Sequence, residues 1–300
     1  MVSRPLKHIE LFVIAVIILI YALLTFQKNF IWNDDLALWT DCVKKSPMKY
    51  RPHINLGVAY LEKKDYERAM AEFREALRLN PNAEKAYLNI GLVYQEKGQI
   101  ENAINSYKKA LELSPDSSEA LHFLGSAYEH LGFHDTALIY YEKALKEDRG
   151  NPMILVNVGS ALQKKGMFED AVAYYRQALQ INAGMPKAYY NLGLAYDEKG
   201  RLNEAAFYYR KALEMHREYP EALSNLGIIY GRTGRFREAV DLFKMALQIE
   251  PENTIILLNL GQAYEAAGMI DEADKQYEKV IELNPSEIRA RERLKRIAPR

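Results

Sequence analysis

Six asparagines, Asn55, Asn89, Asn157, Asn191, Asn225 and Asn259, stand on one series of step 34, broken only by Phe123. A carboxamide both donates and accepts hydrogen bonds, so such a row could hold an extended peptide backbone rung by rung. The other reactive side chains form no comparable pattern. His130 and His134 are four apart, but Gly132 lies between them at a turn, so they share no helix face. His8, His53, His122 and His216 show no metal-ligand spacing, and no nucleophile elbow, phosphate loop or zinc-protease motif is present. The Asp34-Asp35 pair suits the N-terminus of a helix, where negative charge is favoured. Cys42 is the single cysteine, which leaves neither an intramolecular disulfide nor a thiolate metal set. The expectation is a chain that is not an enzyme, with no catalytic residue, metal, cofactor or small-molecule substrate. Charged residues are 27% of the chain and sum to zero, which removes the electrostatic case for nucleic acid.

Positioning a row of step 34 requires an element of that length repeated. Gly57, Gly91, Gly125, Gly159, Gly193, Gly227 and Gly261 keep that step unbroken. Twelve residues past each glycine stands alanine, from Ala69 to Ala273. Sixteen past stands an aromatic: Phe73, Tyr107, Tyr141, Tyr175, Tyr209, Phe243 and Tyr277. Nineteen past stands alanine again, from Ala76 to Ala246, with Val280 last. Small residues at fixed places let two helices approach, and rings fill the space beside them. Gly98, Gly132, Gly166, Gly200, Gly234 and Gly268 fall where the first helix of each unit needs a left-handed end. Pro81, Pro115, Pro251 and Pro285 stop the second helix. One helical hairpin cannot cover its own apolar face, so neighbours must stack.

On these residues the chain resembles the tetratricopeptide-repeat (TPR) family over 50–287. The resemblance implies an all-α, right-handed TPR superhelix of seven helix-turn-helix repeats, at 50–83, 84–117, 118–151, 152–185, 186–219, 220–253 and 254–287. It also implies that the first helix of each repeat lines a concave groove. The asparagine row would then be a peptide-binding ladder like that of O-GlcNAc-transferase-type superhelices. Asparagine is also the common residue at that place in the family, so a binding ladder and a consensus habit both stay open. Ile54, Val58, Leu88, Leu92, Phe123, Val156, Tyr190, Leu194, Ile228 and Leu258 would face the groove uncovered, as an interaction surface does. Ile54 and Val58 stand where chaperone-tail clamps carry lysine and asparagine, which argues for a largely uncharged peptide.

The register extends backwards through Trp39, Cys42 and Pro47, so 28–49 reads as a juxtamembrane half-repeat cap. At the other end Ile288, Leu294 and Ile297 lie among basic residues, as a cap helix over 288–300. A basic binding tail is the alternative there.

Residues 1–8 read as a short tail. Leu11 to Leu24 are all apolar, and the eighteen residues of 9–26 would rise about 27 Å as a helix, near a hydrocarbon core of about 30 Å. This predicts a transmembrane signal-anchor helix over 9–27, with a cleaved signal peptide as its rival. Arg4 and Lys7 before the span favour a cytoplasmic N-terminus. The expected placement is single-pass in the inner membrane with the TPR domain periplasmic. The run Trp32-Asn33-Asp34-Asp35, Leu38-Trp39, Asp41, Pro47, Arg51 and Asn55 to Tyr60 resembles the junction in multi-pass transmembrane-and-TPR glycosyltransferase-like proteins. The expected function is a membrane-anchored scaffold that binds an extended peptide or partner protein in the TPR groove. The alternative is a non-catalytic, acceptor-presenting arm of a membrane protein-glycosylation system.

Overall fold

The computed structural model describes residues 34–297 and, before them, Val13, Val16 and Leu19, which are helical and exposed. Sixteen α-helices and no strand occur among the residues 34–297. The chain divides into two compact units, Met1–Glu147 and Asp148–Arg300.

The first unit holds α1 (Asp35–Lys45) and three hairpins. These are α2 (Tyr50–Glu62) with α3 (Tyr66–Leu79), α4 (Glu84–Glu96) with α5 (Ile100–Leu113), and α6 (Ser118–His130) with α7 (His134–Glu147). Each second helix packs on the next first helix, α3 on α4 and α5 on α6, and α1 packs on α2. His53 ties the cap to the first hairpin, reaching the Pro47 carbonyl oxygen through Nε2 at 3.0 Å and the Glu72 carboxylate through Nδ1 at 2.6 Å.

The second unit holds four hairpins and a closing helix. They are α8 (Pro152–Lys164) with α9 (Phe168–Ile181), α10 (Pro186–Glu198) with α11 (Leu202–Met215), α12 (Pro220–Arg232) with α13 (Phe236–Ile249), and α14 (Thr254–Ala266) with α15 (Ile270–Leu283). Then α16 (Ile288–Ile297) packs on α15. Pro152, Pro186 and Pro220 each open a first helix, where the missing N–H is no loss.

The residue types explain the hairpins. A Cβ added at Gly125 would stand 2.7 Å from the Tyr141 ring, and one at Gly159 would stand 2.5 Å from the Tyr175 ring. Only glycine admits the ring of the second helix against the backbone of the first. The seven rings are thereby buried, from Phe73 to Tyr277, with the flanking alanines closed around them. Burying one such side chain contributes on the order of 1.5–3 kcal/mol. Each first helix ends in a Schellman turn: Gln99 N–H donates to the Tyr94 carbonyl at 2.8 Å, with Gly98 at φ +71° between them. Gly132, Gly166, Gly200, Gly234 and Gly268 repeat that geometry. The first hairpin makes the same turn with Lys64 at φ +57°.

One sequence expectation is corrected here. Among the described residues no helix is long and apolar enough to cross a membrane. The hairpin helices are 13 or 14 residues, roughly 21 Å at most, and each turns a polar face outward. The single-pass inner-membrane placement with a periplasmic TPR domain is therefore withdrawn. The segment 9–27 lies outside the described residues apart from Val13, Val16 and Leu19. In the end helices Ile288 is 66% exposed, Ala290 is fully buried, and Trp39, Cys42 and Leu294 are half-buried.

Candidate functional site

The asparagine row lies on the first helices, α2, α4, α8, α10, α12 and α14. Asn55, Asn89, Asn157, Asn225 and Asn259 are half-buried, whereas Asn191 is 8% exposed and belongs to the packed interior. The carboxamides are not equivalent. Asn89 Nδ2 donates to the Lys85 carbonyl of its own helix at 2.8 Å. Asn225 Nδ2 donates to Tyr190 Oη on the preceding hairpin at 3.2 Å. Asn55 and Asn259 make no hydrogen bond among the described residues and each lines a cavity. The Asn55 cavity is about 370 Å³, bounded by Tyr50, Arg51, Ile54, Asn82 and Lys85. The Asn259 cavity is about 410 Å³, bounded by Ile228, Gly231, Phe243, Gln262 and Arg293.

The apolar residues expected beside the row divide in two. Ile54, Leu88, Val156 and Leu258 are buried. Val58, Leu92, Phe123, Tyr190, Leu194 and Ile228 are half-buried. Phe123, which replaces asparagine in the third hairpin, stacks on Tyr107 with centroids 5.8 Å apart. Tyr190 sits against Tyr209 and Tyr219, at 5.8 Å and 5.0 Å. Burial raises the Tyr190 hydroxyl above its usual pKa, as does the nearby Glu221.

A second set of residues recurs at a fixed place in each hairpin. Four residues past each repeat glycine stand Leu61, Gln95, Glu129, Gln163, Asp197, Gly231 and Glu265. Where this residue is long and polar, the buried tyrosine of the second helix donates to it. Tyr107 Oη reaches Gln95 at 3.1 Å, Tyr141 reaches Glu129 at 2.8 Å, Tyr175 reaches Gln163 at 3.0 Å and Tyr277 reaches Glu265 at 3.0 Å. Where it is Leu61 or Gly231, the ring is Phe73 or Phe243 and has no hydroxyl to satisfy. The fifth hairpin breaks the rule. Asp197 is one methylene shorter and binds Arg232 at 2.7 Å, and Tyr209 Oη is buried without a partner among the described residues. Asn225 is near that oxygen but directs its Nδ2 hydrogen bond to Tyr190. This pairing was readable from the sequence, because tyrosine alternates with phenylalanine in step with a polar or apolar residue twelve places earlier.

Among the described residues no three histidine, cysteine, aspartate or glutamate side chains converge on a metal position.

Stacked hairpins with small residues at each crossing define, within each unit, a repeat scaffold. Profiles described as tetratricopeptide repeat or TPR repeat match residues 57–98, 82–149, 151–218 and 232–297. A further profile, YpiA-like C-terminal tetratricopeptide repeats, matches 186–253. The chain belongs to the tetratricopeptide-repeat family, whose fold is that of a protein–protein interaction scaffold. No curated protein matches it. Among solved structures it is similar to the APC/C hetero-tetramer Cut9–Hcn1, with TM-score 0.73 and 17% identity over 88% of this chain and 52% of that one. The chain thus spans about half the length of that relative. It is also similar to pilF of Pseudomonas aeruginosa, with TM-score 0.63 and 25% identity over 70% of this chain and 96% of that one. A tetratricopeptide-repeat protein from Parabacteroides merdae gives 0.60 and 17%, over 83% and 99%. The matched profiles begin at residue 57, so the glycosyltransferase-like junction over 32–60 rests on the sequence resemblance alone.

Proposed function

We propose that this chain binds an extended peptide segment of a protein partner along the first helices of its hairpins, with the asparagine carboxamides holding the peptide backbone. The observation that carries this reading is the state of Asn55 and Asn259. Each is half-buried, each lines a cavity, and neither spends its amide on the chain itself. A side chain that is fixed by packing and keeps both a donor and an acceptor is suited to a backbone that presents both. In the first unit Asn89 stands on the first helix after that of Asn55, with the half-buried Val58 and Leu92 as apolar surface; in the second unit Asn157 and Asn225 precede Asn259, with the half-buried Leu194 and Ile228. Asn191 is left out of the binding set because it is buried.

The test is peptide selection followed by titration. Dodecapeptides selected by phage display on the full chain would be labelled and titrated against wild type, Asn55→Ala and Asn259→Ala. Each lost hydrogen bond contributes about 0.5–1.5 kcal/mol, so affinity should fall roughly three- to tenfold in at least one variant. Selected peptides that bind both variants as tightly as wild type would refute the reading.

A further inference from the structure

We infer that the hollow beside Gly231 is a specificity pocket for one bulky apolar side chain of the bound peptide, an aromatic or large aliphatic residue with a carboxylate next to it. The inference rests on the peptide-binding reading above and adds a side-chain requirement to it.

Gly231 serves neither of the two uses that glycine has along the first helices. The glycines that meet rings admit no Cβ, and the glycines that end the first helices have positive φ. A Cβ at Gly231 would meet nothing within 4 Å, and its backbone is ordinary helix. Glycine inside a helix is unfavourable relative to any residue with an unstrained side chain. What Gly231 provides is space. The equivalent place in the other hairpins of this unit holds Gln163, Asp197 or Glu265. Its partner ring is Phe243, with no hydroxyl that would need an acceptor there. The opposite wall is small too, formed by Ala263 and Ala266 of α14. The result is the cavity of about 410 Å³, within the range of ligand sites, which is about 300–1,000 Å³.

The lining sets the chemistry. Phe236, Phe243 and Ile228 supply apolar walls, and Asn259 and Gln262 supply amides. Arg232 and Arg293 supply two guanidinium groups, and no carboxylate lines the cavity. Their acidic partners, Asp197 at 2.7 Å and Glu265 at 3.0 Å, lie outside it. The Arg232–Asp197 pair is exposed and holds weakly, whereas Arg293 is held on the part-buried Glu265 through one nitrogen; a guanidinium carries five donors, so each arginine keeps N–H groups for a peptide carboxylate. An apolar side chain in the hollow then places an adjacent acidic residue against the arginines.

The experiment uses fluorescein-labelled glycine–serine dodecapeptides with a central Phe-Asp, Ala-Asp or Phe-Lys, titrated into the full chain by anisotropy. Wild type should prefer Phe-Asp over both controls by at least tenfold. Gly231→Gln, which installs the side chain of Gln163 at the matching place, should lose the preference for Phe while melting no lower than wild type. Ala266→Gln fills the hollow from the opposite wall and should do the same. Arg293→Gln should lose only the discrimination between Asp and Lys. No binding of Phe-Asp by wild type up to millimolar concentration, or unchanged preference in both filling variants, overturns the pocket. Selected peptides that need Asn55 or Asn259 yet bind Gly231→Gln normally overturn the pocket and leave the backbone ladder standing.

Discussion

Tyr141 Oη donates to the Glu129 carboxylate at 2.8 Å, across one hairpin and twelve residues. The bond fixes a buried ring of the second helix to the last full turn of the first, and the same bond recurs at Tyr107, Tyr175 and Tyr277. A ring fully removed from water with its hydroxyl satisfied gives each hairpin a fixed register.

Removing the hydroxyl should therefore cost stability where it is paired and not where it is orphaned. Tyr141→Phe loses a hydrogen bond to a charged acceptor and should destabilise by about 1–2 kcal/mol. Tyr209→Phe removes a buried oxygen with no partner and should be neutral or stabilising. Urea melts of the two variants beside wild type check the contrast.

The buried tyrosines also set an alkaline limit. Burial, then Glu96, pushes the Tyr107 hydroxyl up; burial, then Glu129, pushes up Tyr141; burial raises Tyr209 and Tyr277 as well. Above a pH of about 10 the unfolded chain loses these protons while the folded chain keeps them. The native state then binds more protons than the unfolded state, so stability falls as pH rises from there. Thermal melts between pH 8 and 12 should show that fall, shallower in Tyr107→Phe/Tyr141→Phe.

Lys64 sits at φ +57°, where the six other hairpins have glycine. A side chain in the left-handed region costs roughly 1–2 kcal/mol. Lys64→Gly should stabilise the first hairpin by about 1 kcal/mol, seen as slower amide exchange in α2 and α3. A loss of protection would place the strain elsewhere.

The close approach of Gly159 to Tyr175 gives the opposite sign. Gly159→Ala puts a methyl group 2.5 Å from a fully buried ring that cannot retreat. The expected loss is about 1–3 kcal/mol, as for other overpacked cores, with Ala171→Leu in the same range. A melting temperature equal to wild type in both would contradict the packing described.

These positions show what could be read in advance. The 34-residue step, the ring glycines, the alanine pairs and the left-handed helix ends follow from steric rules that act within one hairpin, and the sequence carries them openly. Exposure does not follow from such rules. Leu88 and Leu258 occupy the same face of a first helix as Leu92 and Ile228, yet the first two are buried and the others half-buried. Asn191 is likewise buried while Asn157 and Asn225, one hairpin away on either side, are not. Periodicity assigns a face, and only the neighbour decides how much of it stays open. The apolar stretch of 11–24 lies outside the described residues apart from Val13, Val16 and Leu19. Gly231 was legible and unread, since it alone among the glycines answers to neither a ring nor a turn.

The central claim is that asparagine carboxamides hold a peptide backbone, and a double-mutant cycle tests it most directly. A selected peptide would be synthesised with single amide-to-ester replacements along its length and titrated against wild type and Asn259→Ala. The account predicts one ester that weakens binding to wild type and has little further effect in Asn259→Ala, a coupling of about 0.5–1.5 kcal/mol. Fully additive losses at every peptide position would contradict it.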